Sequence, residues 1–174
     1  SEVEEVIDEL RKVLEENKRR VEELSRENDD VLRRIEERLK KIEDELEKIL
    51  KDVRDLKDNN VDSKTLLERV AERVKEAATR LRELLRELEE ISEKSIREND
   101  RLNKESEDMA RDLRRRVDNE RLKEEITRIL EELTRINEEN KRRSEEILDR
   151  VRKDVERVLK RVEDILKEIE DELR

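Results

Sequence analysis

ILEELTRINEENKRRSEEILDRVRKDVERVLKRVEDILKEI, residues 129–169, places its apolar residues at a fixed interval of 18. Ile129, Ile147 and Ile165 form one set, Leu130, Leu148 and Leu166 a second, and Leu133, Val151 and Ile169 a third. Eighteen residues complete five turns of an α-helix at 3.6 residues per turn. A strict seven-residue repeat drifts around the helix and draws it into a left-handed supercoil. An 18-residue repeat does not drift, so its apolar stripe stays on one side of a straight helix.

The same interval runs through the first third of the chain. There the sets are Val3/Val21/Leu39, Val6/Leu24/Ile42, Val13/Val31/Ile49 and Leu14/Leu32/Leu50. The middle third follows with Leu66/Leu84/Leu102 and less regular sets. In the first helix the apolar positions span an arc of about 100°. That arc suits a helix that touches two neighbours. No third of the chain is markedly more apolar than the others, so none reads as the inner helix of a larger ring. The expected assembly is a closed, monomeric three-helix rod about 80 Å long.

Two places interrupt the pattern. Lys57-Asp58-Asn59-Asn60-Val61-Asp62-Ser63 is the first. Asn59 and Asn60 tolerate the left-handed conformation that ends a helix. Asp62 or Ser63 can cap the next helix, and Thr65 with Glu68 offers a capping box as an alternative start. The second is Arg116-Val117-Asp118-Asn119, with Asp118 or Asn119 as the cap. The spacing therefore predicts helices over 2–57, 64–116 and 120–173, in one domain covering residues 1–174. Short connections make successive helices antiparallel neighbours, giving an up-down-up path. End charges suit the helix dipole: Glu2, Glu4 and Glu5 open the first helix, Glu120, Glu124 and Glu125 the third, and Arg111, Arg114, Arg115 and Arg116 close the second.

Composition narrows the function classes. Charged residues make up 57% of the chain and apolar residues 31%, a balance compatible with either disorder or long helices, and the periodicity decides for helices. The net charge is −10, with both signs interleaved, as in Glu36 with Lys40, Glu37 with Lys41 and Glu47 with Lys51. That reads as a solvated face rather than a nucleic-acid footprint. There is no Gly, Pro, Cys, His, Phe, Trp or Tyr. Zinc lacks its usual His and Cys ligands, calcium and phosphate loops lack their Gly, and base-stacking platforms lack aromatics. Serines in the core register have no Lys or carboxylate partner beside them to activate a nucleophile. We expect no enzyme activity, no cofactor, no metal and no required partner. With neither a membrane-length apolar run nor a targeting signal, a soluble chain is expected, consistent with cytoplasmic expression, and the sequence assigns no localisation.

One band departs from the aliphatic pattern. Apart from Ser1 and the connecting residues, the Asn and Ser side chains are Asn17, Ser25, Asn28, Ser92, Ser95, Asn99, Asn103, Ser106, Asn137, Asn140 and Ser144. They occupy core or boundary positions of the repeat. Asn17 aligns with Ile35 and Val53, Asn28 with Leu10 and Leu46, Ser95 with Ala77 and Leu113, and Asn99 with Leu81 and Val117. Asn140 aligns with Leu122 and Val158, and Ser144 with Ile126 and Val162. Folding the chain at its two connections brings all of them into one band about 20 Å tall. A buried amide or hydroxyl left unpaired costs about 1–3 kcal/mol, so the band is expected to be a mutually satisfied hydrogen-bond network that fixes helix register. A water-facing edge position is the alternative, chiefly for Ser25, Ser92 and Asn103, and a ligand pocket is a sharper one.

The combination resembles computationally designed, parametric, untwisted three-helix bundles with a buried hydrogen-bond network. Its carriers are the 18-residue repeat, the aromatic-free aliphatic core, the Glu/Lys/Arg surface and the co-levelled Asn and Ser cluster, over the full length of the chain. The Gly-free connections depart from common practice in such bundles. The resemblance implies a scaffold without evolved activity and with high thermal stability. Other readings are an interaction module that self-associates or receives a partner helix, a spectrin-like spacer and a lipid-binding bundle. A spacer would carry aromatic core residues and imperfect repeats. Membrane-surface helices favour basic, aromatic-bearing faces.

Overall fold

The computed structural model describes residues 2–59 and 64–173, with the side chains at 3, 57 and 173 left aside. The protein is all-α. Helix α1 runs Glu2–Asp58, α2 Lys64–Arg116 and α3 Glu120–Leu173, packed against one another as a three-helix bundle. The helix bounds differ from the sequence expectation by one residue, at the end of α1. Among the described residues no helix is long and apolar enough to cross a membrane.

The helix ends follow from local chemistry. The Asn59 backbone N–H donates to the Asp55 carbonyl at 3.1 Å and closes the last turn of α1. Asn60, Val61, Asp62 and Ser63, and with them the expected cap of α2, lie outside the described residues. Thr65 falls inside the first turn of α2, which begins at Lys64, so the alternative start at Thr65 is not the one used. At the second connection Asn119 is the cap. Its Oδ1 accepts the Arg121 N–H at 2.9 Å, and its backbone carbonyl accepts from Lys123 at 3.1 Å.

Packing divides the chain into two compact units, and every helix contributes to both. One comprises residues 1–30 with 91–147, the other 31–90 with 148–174. The second unit has an aliphatic core, with Ile35, Leu46 and Ile49 from α1, Val74, Leu81 and Leu84 from α2, and Val151, Val155 and Val162 from α3, all but fully enclosed. The first unit includes an aliphatic cluster in which Val6 and Leu10 meet Ala110, Leu113 and Val117, and Leu122 and Ile126 of α3. Each such Val, Leu or Ile side chain contributes about 1.5–3 kcal/mol by leaving water.

Surface ion pairs record the helix register. Between α1 and α3, Lys18 pairs with Glu132, Glu36 with Arg150, Glu43 with Arg157 and Glu47 with Arg161. Each pair keeps the offset of 114 residues seen in the last, so α1 and α3 run parallel. Between α1 and α2, Glu9 pairs with Arg116, Arg20 with Glu105, Arg38 with Glu87 and Asp52 with Arg73. Here numbers rise on α1 as they fall on α2, one for one, as in antiparallel neighbours. The Arg20–Glu105 and Arg38–Glu87 pairs are one repeat apart on both helices. Arg73 is shared by Glu45 at 2.9 Å and Asp52 at 3.0 Å, and these two hydrogen bonds hold its pKa above the ordinary arginine value. Exposed pairs of this kind contribute at most about 1 kcal/mol each, so they bias register more than they hold the fold.

Candidate functional site

Among the described residues the buried polar side chains are Asn17, Asn28, Ser95, Asn99, Ser106, Asn137 and Asn140, and all belong to the first unit. Every one was among the eleven Asn and Ser residues singled out from the sequence. Asn99 and Asn137 have no solvent exposure at all. The helical period explains the burial, because these residues stand at repeat positions that carry leucine, isoleucine or valine elsewhere.

Six of the seven, with the half-buried Asn103, are joined across helices into two strings. In the first, Asn17 Nδ2 on α1 donates to Asn137 Oδ1 on α3 at 3.1 Å. Asn137 Nδ2 then donates to Asn103 Oδ1 on α2 at 2.6 Å. In the second, Asn28 Nδ2 on α1 donates to Ser95 Oγ on α2 at 3.3 Å. Asn140 Nδ2 on α3 donates to Asn99 Oδ1 on α2 at 3.3 Å, and Asn99 Nδ2 turns back to the Ser95 carbonyl one turn earlier at 3.0 Å. Each string thus reaches all three helices. An amide suits this role because it both donates and accepts, so one residue can pass the connection on.

The remaining residues behave differently. Ser106 is buried, but its Oγ donates to the Leu102 carbonyl of its own helix at 2.9 Å. Ser25, Ser92 and Ser144 are half-buried and make no side-chain hydrogen bond among the described residues. Since no buried side-chain nitrogen or oxygen among the described residues lacks a partner, these three hydroxyls open to water. Ser25 and Ser92 thereby take the edge position weighed for them. Ser144 does so too, although its repeat mates Ile126 and Val162 are fully enclosed. Asn103 also sits at the boundary, yet it ends the first string.

The strings are neutral, and charge appears only at their surface rim. Arg20 bridges Glu16 at 3.0 Å and Glu105 at 2.9 Å, and Lys18 faces Glu132 at 4.0 Å. Among the described residues no group of His, Cys, Asp or Glu is arranged to hold a metal ion. Chemically the arrangement is a set of buried amides and a hydroxyl that satisfy one another across helices, so that their desolvation cost is met. The sequence reading did not foresee the constant-offset ion pairs between α1 and α3. Their signal was present in Glu36, Glu43 and Glu47 set against Arg150, Arg157 and Arg161, and it becomes readable once the register is known. No protein-family model matches the chain, and no curated protein or solved structure matches it either.

Proposed function

We propose that the chain is a designed structural scaffold without evolved biochemical activity, whose Asn/Ser network specifies how its three helices register. The observation that carries this reading is that both strings reach all three helices within one band. Uniform repeats of Leu, Ile and Val leave alternative alignments close in energy. A slip of seven residues, about 10.5 Å along a helix, turns the apolar stripe by only about 20° and keeps much of it paired. The same slip of α3 would set Asn137 against Leu10 or Leu24 and Asn99 against Leu133 or Ile147, at about 1–3 kcal/mol for each stranded group. Surface charge acts in the same sense. Lys18–Glu132 and Glu36–Arg150 occupy equivalent repeat positions with the signs reversed, so pairing Lys18 with Arg150 instead would set like charges together.

The design reading is supported by the five-turn repeat, the aromatic-free core and the self-satisfied polar band, taken together. In it the protein is a monomer that needs no partner, cofactor or metal. The test is to replace the whole Asn and Ser set by Leu, Ile and Val of suitable size. The parent should give one mass by light scattering and one set of amide resonances. The replaced chain should populate additional masses or additional resonances. A strictly monomeric, singly populated replacement would show that the network does not specify the fold.

A further inference from the structure

Ser106 and Asn17 stand one repeat from Leu88 and Ile35, both of which are buried in the second unit. Serine is much shorter than the leucine at its repeat mate, and the space it leaves is visible. A cleft of about 140 Å³ opens between α1 and α2, floored by Asn17, Leu102 and Ser106. An aliphatic cavity of about 150 Å³ holds benzene, so a ligand of five or six non-hydrogen atoms has room here.

The chemistry of the cleft selects for donors and positive charge. Asn17 is only 5% exposed, and its Nδ2 is committed to Asn137. No protein donor among the described residues reaches its Oδ1. Because no buried side-chain oxygen among those residues lacks a partner, that atom is not fully enclosed, and Asn17 lines the cleft. The Ser106 hydroxyl proton is committed to the Leu102 carbonyl, which leaves the oxygen free only to accept. At the rim, Glu16 and Glu105 face the single guanidinium of Arg20, so the lining carries one net negative charge. Val13 and Met109 complete an apolar wall, and Met109 is a large hydrophobic side chain left 45% accessible.

We propose that this cleft is a binding site for a short primary alkylammonium ion. The ammonium supplies three N–H donors to a place that offers Asn17 Oδ1, the Ser106 oxygen and a rim carboxylate as acceptors. Its alkyl chain lies against Val13, Leu102 and the flexible thioether of Met109. An alcohol of the same length brings one donor and no charge, and a carboxylate is repelled. The site stands on the cleft's own geometry and does not depend on the scaffold reading.

The test is a titration of the full isotope-labelled chain with n-butylammonium chloride, referenced to sodium chloride at equal concentration. A saturable shift at millimolar concentration is expected, confined to the Asn17 side-chain amide, the Met109 methyl group and their neighbours. Ser106→Leu restores the residue that the repeat carries at position 88 and should abolish the response. Glu105→Gln keeps the shape of the cleft and should weaken binding several-fold, which decides the matter even if Ser106→Leu folds poorly. n-Butanol should bind several-fold more weakly than the ammonium. A response that never saturates, one that survives Ser106→Leu in a folded chain, one unchanged in Glu105→Gln, or one equalled by n-butanol would each overturn the assignment.

Discussion

Asn137 is the hub of the first string, and Asn137→Leu removes two hydrogen bonds with almost no change in the number of side-chain heavy atoms. The substitution strands the Asn17 Nδ2 donor, in a side chain only 5% exposed, at about 1–3 kcal/mol. It also strands Asn103 Oδ1, but Asn103 is half-buried and recovers part of its loss from water. The new leucine no longer carries an amide to be desolvated, which returns some of the cost. The expected net loss is about 2 kcal/mol, read as a lower midpoint in urea unfolding followed by circular dichroism. Asn99→Leu should cost less, about 1 kcal/mol. It strands Asn140 Nδ2, whereas the Ser95 carbonyl keeps its helical partner. Replacing Asn17, Asn103 and Asn137 together by leucine leaves no stranded amide in that string. The triple variant should therefore lose less than Asn137→Leu alone, a strong non-additivity expected of residues that act as one network. A single variant as stable as the parent, or a triple variant whose loss equals the sum of the three singles, would refute the reasoning.

Replacing all eleven Asn and Ser residues by aliphatic ones should leave the urea midpoint equal or higher, because apolar packing carries no desolvation cost; a large loss of stability would contradict this. Asn119→Ala should cost about 1 kcal/mol through loss of the cap on α3, seen as faster hydrogen exchange at Arg121 and its first-turn neighbours. The Asp149 carboxyl is held below the ordinary aspartate range by its bonds to Lys153, at 3.0 Å, and to Arg152. Its contribution is complete above the unfolded aspartate value of about 3.9 and is lost as pH falls through the lower folded value. A ¹³C-detected titration should place that carboxyl below the ordinary aspartate range and move it up in Lys153→Ala; an unchanged titration in the variant would count against the pair.

Much of this structure is legible in the sequence because long helices obey local rules. The period of Leu133/Val151/Ile169 gives the helix and its buried face, and Asp118 or Asn119 ahead of a polar first turn gives the start of α3. The band is legible for the same reason, since Asn17, Asn99 and Asn137 stand where the repeat elsewhere carries aliphatic residues. What the repeat does not give is which residue bonds to which. Asn17 meets Asn137, 120 positions away, only after α1 and α3 adopt their parallel offset. Nor does the repeat separate a buried serine from a half-buried one. Ser95 and Ser144 both hold core positions, but Ser95 meets Asn28 across the interface, while Ser144 makes no side-chain hydrogen bond among the described residues and opens to water. The cleft beside Ser106 depends on side-chain volume, which a pattern of polar and apolar letters does not record.

The central claim is that specific amides bond across helices in the interior, and side-chain amide hydrogen exchange tests it most directly. Asn99 and Asn137, without solvent exposure, should keep their side-chain amide protons far longer than the exposed Asn59 and Asn119. The Asn17 and Asn137 amides should also show a mutual nuclear Overhauser contact across 120 residues of sequence. Exchange at one common rate for all four residues, with no contact between Asn17 and Asn137, would contradict the account.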